Sequence, residues 1–161
     1  KGVPEIGKII ANTNISAASG GTISLLLVSI IKRKFNIEWM LNGVLAGLVA
    51  ITANCNYVSS SSAIIIGAIA GPLVNFSMEF IERVLKVDDP VGAIAVHGIG
   101  GVWGTIAVAL FVPEANLLTK NWLTQLKVQA LGSVTAFIWS MGVAFLLFSL
   151  LKFFIKLRPS C

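Results

Sequence analysis

The residues able to do chemistry converge on His97, the only histidine in the 161-residue chain. A neutral imidazole carries one hydrogen-bond donor and one acceptor on a rigid ring, so it can relay a proton or hold a small polar molecule. At helical spacings of three, four and seven residues its neighbours are Ala93, Gly100, Gly101 and Gly104. The other side of the same helix carries Val91, Ile94, Val102 and Ile106. The spacing thus predicts a ring projecting from a stripe with almost no side chains. Two readings fit that pattern. The ring hydrogen-bonds a helix that comes very close, or it forms one wall of an open lumen.

Other chemistry has little to draw on. With one histidine, no carboxylate inside an apolar run and no well-placed reactive cysteine, neither a metal set nor a nucleophile–base pair can be assembled. The chain therefore reads as non-enzymatic, with no metal and no cofactor. Cys55 and Cys161 make no disulfide framework. Trp103 lies beside the glycines and reads as packing. Thr52 is open to two roles, a functional hydroxyl or a bond to its own backbone one turn back.

The element that must position His97 runs from Asp88 to Phe111. It is free of charge from Pro90 to Pro113, about 24 residues or roughly 35 Å of helix, enough to cross a bilayer. Asp88 and Asp89 are capping types facing the positive end of the helix dipole, and Pro90 suits a first helical turn. This placement puts His97 about seven residues, roughly 10 Å, inside the helix start, at a depth where polar groups usually serve function.

The rest of the chain supplies partners of the same kind. Composition is 56% hydrophobic and 12% charged with mean hydropathy +0.88, which excludes an ordinary soluble domain. Five apolar spans are expected, at about 12–31, 39–58, 63–81, 90–111 and 128–151, in one domain covering 1–161. Hydrocarbon satisfies no backbone polar group, so all five must be helices and the fold class is an all-α membrane protein. Gly43 with Gly47 and Gly67 with Gly71 have the four-residue spacing of close helix crossings. Pro72 is expected to kink the third helix or to start its second half. The cluster Glu79, Glu82, Arg83 and Lys86 reads as a solvated helix end.

The net charge of +5 does not imply nucleic acid, because the basic residues sit between apolar runs. Eight of the twelve Lys and Arg residues fall at Lys32–Lys34, Arg83, Lys86, Lys152, Lys156 and Arg158, which puts those links and the C-terminus in the cytoplasm. Trp39, Tyr57 and Trp122 fall near span ends, as interfacial aromatics do. A start at Lys1 without methionine suggests a piece of a longer protein.

Four runs in order, NTNISAASG from Asn12, NGVLAGLVAITANCNYV from Asn42, SAIIIGAIAG from Ser62 and DDPVGAIAVHGIGGVWGT from Asp88, resemble the ammonium transporter (Amt/Rh) family over nearly the whole chain. The match is to the C-terminal portion, the last five helices of an eleven-helix fold and the second of two inverted repeats. The resemblance implies that His97 is the second of two pore histidines and that Ala93 lines the lumen. It also implies that Thr52 matches a threonine near the outer ammonium recruitment site. Asp89, Gly100, Gly101 and Gly104 then stand near the pore. The implied activity is transport, with ammonium giving up a proton and ammonia passing the histidine. The alternative is a non-transporting subunit that senses ammonium or is structural. The resemblance further implies a plasma-membrane homotrimer and, in bacteria, a PII-type regulatory partner.

Overall fold

The computed structural model describes residues 3–155, with side-chain surroundings from residue 5; Lys1, Lys156, Arg158 and Cys161 lie outside them. Five long helices follow one another: α1 (Val3–Lys32), α2 (Ile37–Ile51), α3 (Ser60–Arg83), α4 (Ile94–Phe111) and α5 (Trp122–Phe154). Among the described residues every regular element is helical. By length and composition α1, α3, α4 and α5 can each cross a membrane, whereas α2 has 15 residues, or about 22 Å.

Local chemistry fixes the helix starts. Asn36, Ser59 and Asn121 are N-caps whose side chains accept from the N–H groups of Trp39, Ser62, and Leu123 with Thr124, respectively. α3 continues through Pro72, so the proline divides nothing. α1 begins at Val3, well before Asn12, and Lys8 in its added turns donates to the Asn56 carbonyl at 2.7 Å. α2 ends at Ile51 and Thr52–Val58 folds into turns, so the second span is shorter than its apolar run. α5 extends past 128–151 at both ends; its 33 residues make about 50 Å of helix, longer than a hydrocarbon core.

Helices α1, α2 and α3 form a close-packed trio whose seam is made of small residues. Ser16, Gly20 and Ser24 lie one turn apart on α1 and face Gly43 and Gly47 of α2 and Gly67 and Gly71 of α3. A methyl group added at Gly47 or Gly67 would collide with the Ser16 carbonyl oxygen, and one at Gly71 with the Gly20 carbonyl. Such contact lets backbones and short hydroxyls bond across helices, which suits a medium without water. Ser16 Oγ donates to the Gly47 carbonyl at 2.9 Å and Ser19 Oγ to the Ile64 carbonyl at 3.0 Å. Asn12 Nδ2 ties off the α2–α3 turns through the carbonyls of Cys55 (2.8 Å) and Val58 (3.1 Å). Ser60 Oγ donates to Asn12 Oδ1 at 3.1 Å.

Two side chains differ from the sequence expectation. Trp39 is only 6% exposed; it packs edge-on against Phe76 and under the Lys32 ammonium group. Glu79 is paired with Lys32, with Arg83 at 3.9 Å on its other side, and so links α3 to α1, while Glu82, Arg83 and Lys86 are exposed as a solvated helix end requires.

Candidate functional site: the open face of α4

α4 rests on the trio through its own small residues. A Cβ at Gly104 would stand 2.5 Å from the Ala50 carbonyl oxygen, and Gly100 faces Val74. Asn54 Nδ2 donates to the Gly104 carbonyl at 3.2 Å, and Trp103 Nε1 to the Ile66 carbonyl at 3.0 Å. Trp103 therefore clamps the helix to α3, which bears out its packing role. Among the described residues α5 presses on α4, yet its only buried residue is Gln125, held by Thr119 Oγ1 at 3.1 Å.

The helix carrying His97 starts with a π-helical turn, Ile94–Ile99, before becoming α-helical from Gly100. Its hallmark is the Gly100 N–H bonded to the Ala95 carbonyl, five residues back. Because a π-turn takes up an extra residue, it rotates the following glycines relative to His97. The four small neighbours are consequently split. Ala93, His97 and Gly98 are exposed and Gly101 half-buried, while Gly100 and Gly104 are buried against the trio. The expectation of one face shared by His97, Gly100, Gly101 and Gly104 is corrected to that extent. A methyl group at Gly98 or Gly101 would meet nothing within 4 Å, so the flank of the imidazole is open space.

The start of α4 also differs from the expectation. Pro90 and Val91 form a tight turn closed by the Gly92 N–H to the Asp89 carbonyl at 2.9 Å, and the rod begins after it. Gly92 sits at φ +66°, the left-handed region that favours glycine, and it packs against the flexible end of the Met78 side chain. Asp89 is 4% exposed and does cap the helix, from further back than a usual cap. Its Oδ2 accepts from the N–H groups of Ile94 (3.0 Å) and Ala95 (3.3 Å). A carboxylate thus sits at the positive end of the rod, bonded to N–H groups less than one turn before His97.

Thr52 stands apart from this group. Its hydroxyl donates to the Leu48 carbonyl at 2.8 Å, the bond to its own helix, and the residue is exposed. Ala50 contacts α4 at Gly104, seven residues or roughly 10 Å along the rod from His97. The structure therefore joins Ala93, His97 and Gly101 on one rod, with Asp89 capping its start, and leaves Thr52 at a different level. The sequence reading missed Asn54 and Asn75, which are fully buried polar anchors. The signal was available, since a carboxamide inside an apolar run must find partners.

No group of three or more His, Cys, Asp or Glu side chains is placed to hold a metal ion among the described residues. Fold and site together define a multi-pass α-helical membrane protein with a histidine on an open helix face. The family comparison makes the class specific: residues 3–160 match the model of the Ammonium Transporter Family, and the chain belongs to that family. It is 40% identical over 156 residues to the putative ammonium transporter sll1017 of Synechocystis, covering 94% of this chain and 34% of that protein. It is 36% identical over 164 residues to the ammonium transporter Amt2 of Archaeoglobus fulgidus, covering 94% and 35%. Among solved structures, a Sensor Amt Protein superposes with a TM-score of 0.94 at 44% identity, covering 98% of this chain and 40% of that one. Saccharomyces cerevisiae Mep2 gives 0.79 at 25% identity, covering 89% and 34%. The chain spans about a third of the length of the curated relatives it matches.

Proposed function

We propose that this chain forms one wall of an ammonia conduit in an ammonium transporter, with His97 as a pore residue and Ala93 and Gly101 as the bare lining beside it. The observation that carries this reading is the exposed imidazole flanked by positions where even a methyl group would meet nothing. The physics agrees. A bare ammonium ion is very costly to place in an apolar medium, whereas neutral ammonia needs only a dry path with a few hydrogen-bonding groups. Ammonium leaves its proton with the water outside before entry, and His97 offers ammonia one donor and one acceptor on the way. Asp89 and the buried Gly100 and Gly104 position that wall; Thr52 belongs to the level of the outer entrance. The five helices act as one domain with the remaining length of the relatives, in a plasma-membrane homotrimer with its C-terminus in the cytoplasm. A PII-type regulator and regulation from that side fit the same arrangement.

A second reading, ammonium sensing without transport, is favoured by one observation: the neighbour at TM-score 0.94 is named a sensor. Vesicles containing the complete protein and a pH dye separate the two. Under an inward ammonium gradient, a transporter alkalinises the lumen faster than protein-free vesicles do. A sensor binds ammonium and leaves the rate at the protein-free value, a result that contradicts the transport reading.

A further inference from the structure

Where the end of α1, the start of α2 and the end of α3 meet, a cavity of about 190 Å³ opens, distinct from the face that carries His97. It would hold about six waters at their liquid volume. Asn75 lines it and is 1% exposed. Its carboxamide nitrogen shares two N–H groups among three acceptors in reach, Ser24 Oγ (3.1 Å), the Trp39 carbonyl (3.0 Å) and the Gly71 carbonyl (2.9 Å). Two of those partners are carbonyls, which can only accept, so the nitrogen must face them and the oxygen must face away. That oxygen, Oδ1, is buried and has no hydrogen-bond partner. That atom is shielded from the cavity itself, as Asn54 Oδ1 is shielded elsewhere, so Asn75 fixes this wall and the charged side chains around it face whatever enters.

The charged part of the lining says what the cavity takes. The ammonium group of Lys32 pairs with the Glu79 carboxylate and stands 4.4 Å from the centroid of the Trp39 ring. An –NH3⁺ head held between a carboxylate and an indole face is already what this cavity recognises. Three carboxylates, Glu38, Glu79 and Glu82, line it against two cations, Lys32 and Arg83, so it keeps an excess of negative charge. Lys32 is the last residue of α1 and its side chain is a third exposed, so its flexible stem can swing out to water.

We propose that this cavity is a second ligand site, taking a small protonated amine such as ammonium or methylammonium, and that Lys32 is a tethered competitor for it. The free cation replaces the lysine head between Glu79 and Trp39. The cavity also shares a wall with the turn that starts α4. Met78 lines it, takes a bond from Asn42 Nδ2 at 3.2 Å, and is the side chain against which Gly92 packs.

Equilibrium binding of radiolabelled methylammonium to the complete purified protein tests this. Lys32→Met removes the competitor and is expected to tighten binding by about tenfold. The double variant K32M/E79Q, which keeps the shape and removes the carboxylate charge, is expected to lose that gain. If K32M does not accumulate, K32Q serves the same comparison. A K32M protein that binds no more tightly than the unsubstituted one leaves the cavity holding water only and overturns the proposal. A gain that survives E79Q does the same. Flux past His97 is read separately in vesicles, so failure of either reading leaves the other standing.

Discussion

Gly67→Ala in the complete protein is expected to cost about 3 kcal/mol of stability, the upper part of the range for overpacking, and Gly67→Val to prevent folded protein from accumulating. The methyl group would enter the Ser16 carbonyl and the Ser19 hydroxyl, and the first of these is backbone that cannot move aside. The same carbonyl already faces Gly47, so relief toward α2 is closed. Thermal denaturation in detergent is the measurement, with a fall of several degrees expected for Gly67→Ala. Gly98→Ala is the control: its Cβ meets nothing within 4 Å, and alanine is the better helix former by about 1 kcal/mol. Equal losses from the two substitutions would refute the packing account.

The second large effect is at Asp89. Asp89→Ala removes a buried carboxylate that accepts from two helix N–H groups and leaves both unpaired. Hydrogen bonds to a charged group contribute roughly 1.5–3 kcal/mol each, so a loss of about 3 kcal/mol is expected after partial relaxation. Asp89→Asn keeps one oxygen acceptor and removes the charge facing the helix dipole, and about half that loss is expected. The midpoint of thermal unfolding reads both. The ranking matters most: if Asn costs as much as Ala, the interaction is one of charge with distant groups and the cap is not what holds the π-turn.

The existence of five helices was legible because long uncharged runs have few options in a membrane. Their ends were not, for reasons that differ case by case. α1 starts early because Glu5 and Lys8 interrupt hydrophobicity without interrupting helix, and Lys8 finds an acceptor on the α2–α3 turns. α2 stops at Ile51 although the run stays uncharged through Val58, because Asn12 and Asn54 bind the turn carbonyls and the nearby helix. Pro90 suits a helix start in isolation, yet Asp89 reaches forward to residues 94 and 95 and Gly92 takes a left-handed turn between them.

The histidine itself could be picked out by being alone, and the small residues around it by their spacing. What periodicity could not reveal was the π-turn. An apolar pattern does not distinguish a four-residue from a five-residue hydrogen-bond step, so Gly100 and Gly104 were grouped with His97 when they pack on the trio. Trp39 was read as interfacial for a similar reason. Its place near a helix end was visible, but the carboxylate that draws Lys32 over its ring lies 40 residues away in the chain.

The direct test of the account is the ratio of methylammonium to potassium flux through the complete protein in vesicles, with His97 replaced in turn by Ala, Gln and Phe. If this ring lines the path of an uncharged nitrogen base, at least one replacement lowers that ratio by about tenfold or more, through slower methylammonium passage or through admission of the metal cation. If rate and ratio stay at the unsubstituted values in all three, His97 does not line the path, and the open face of α4 serves some other purpose.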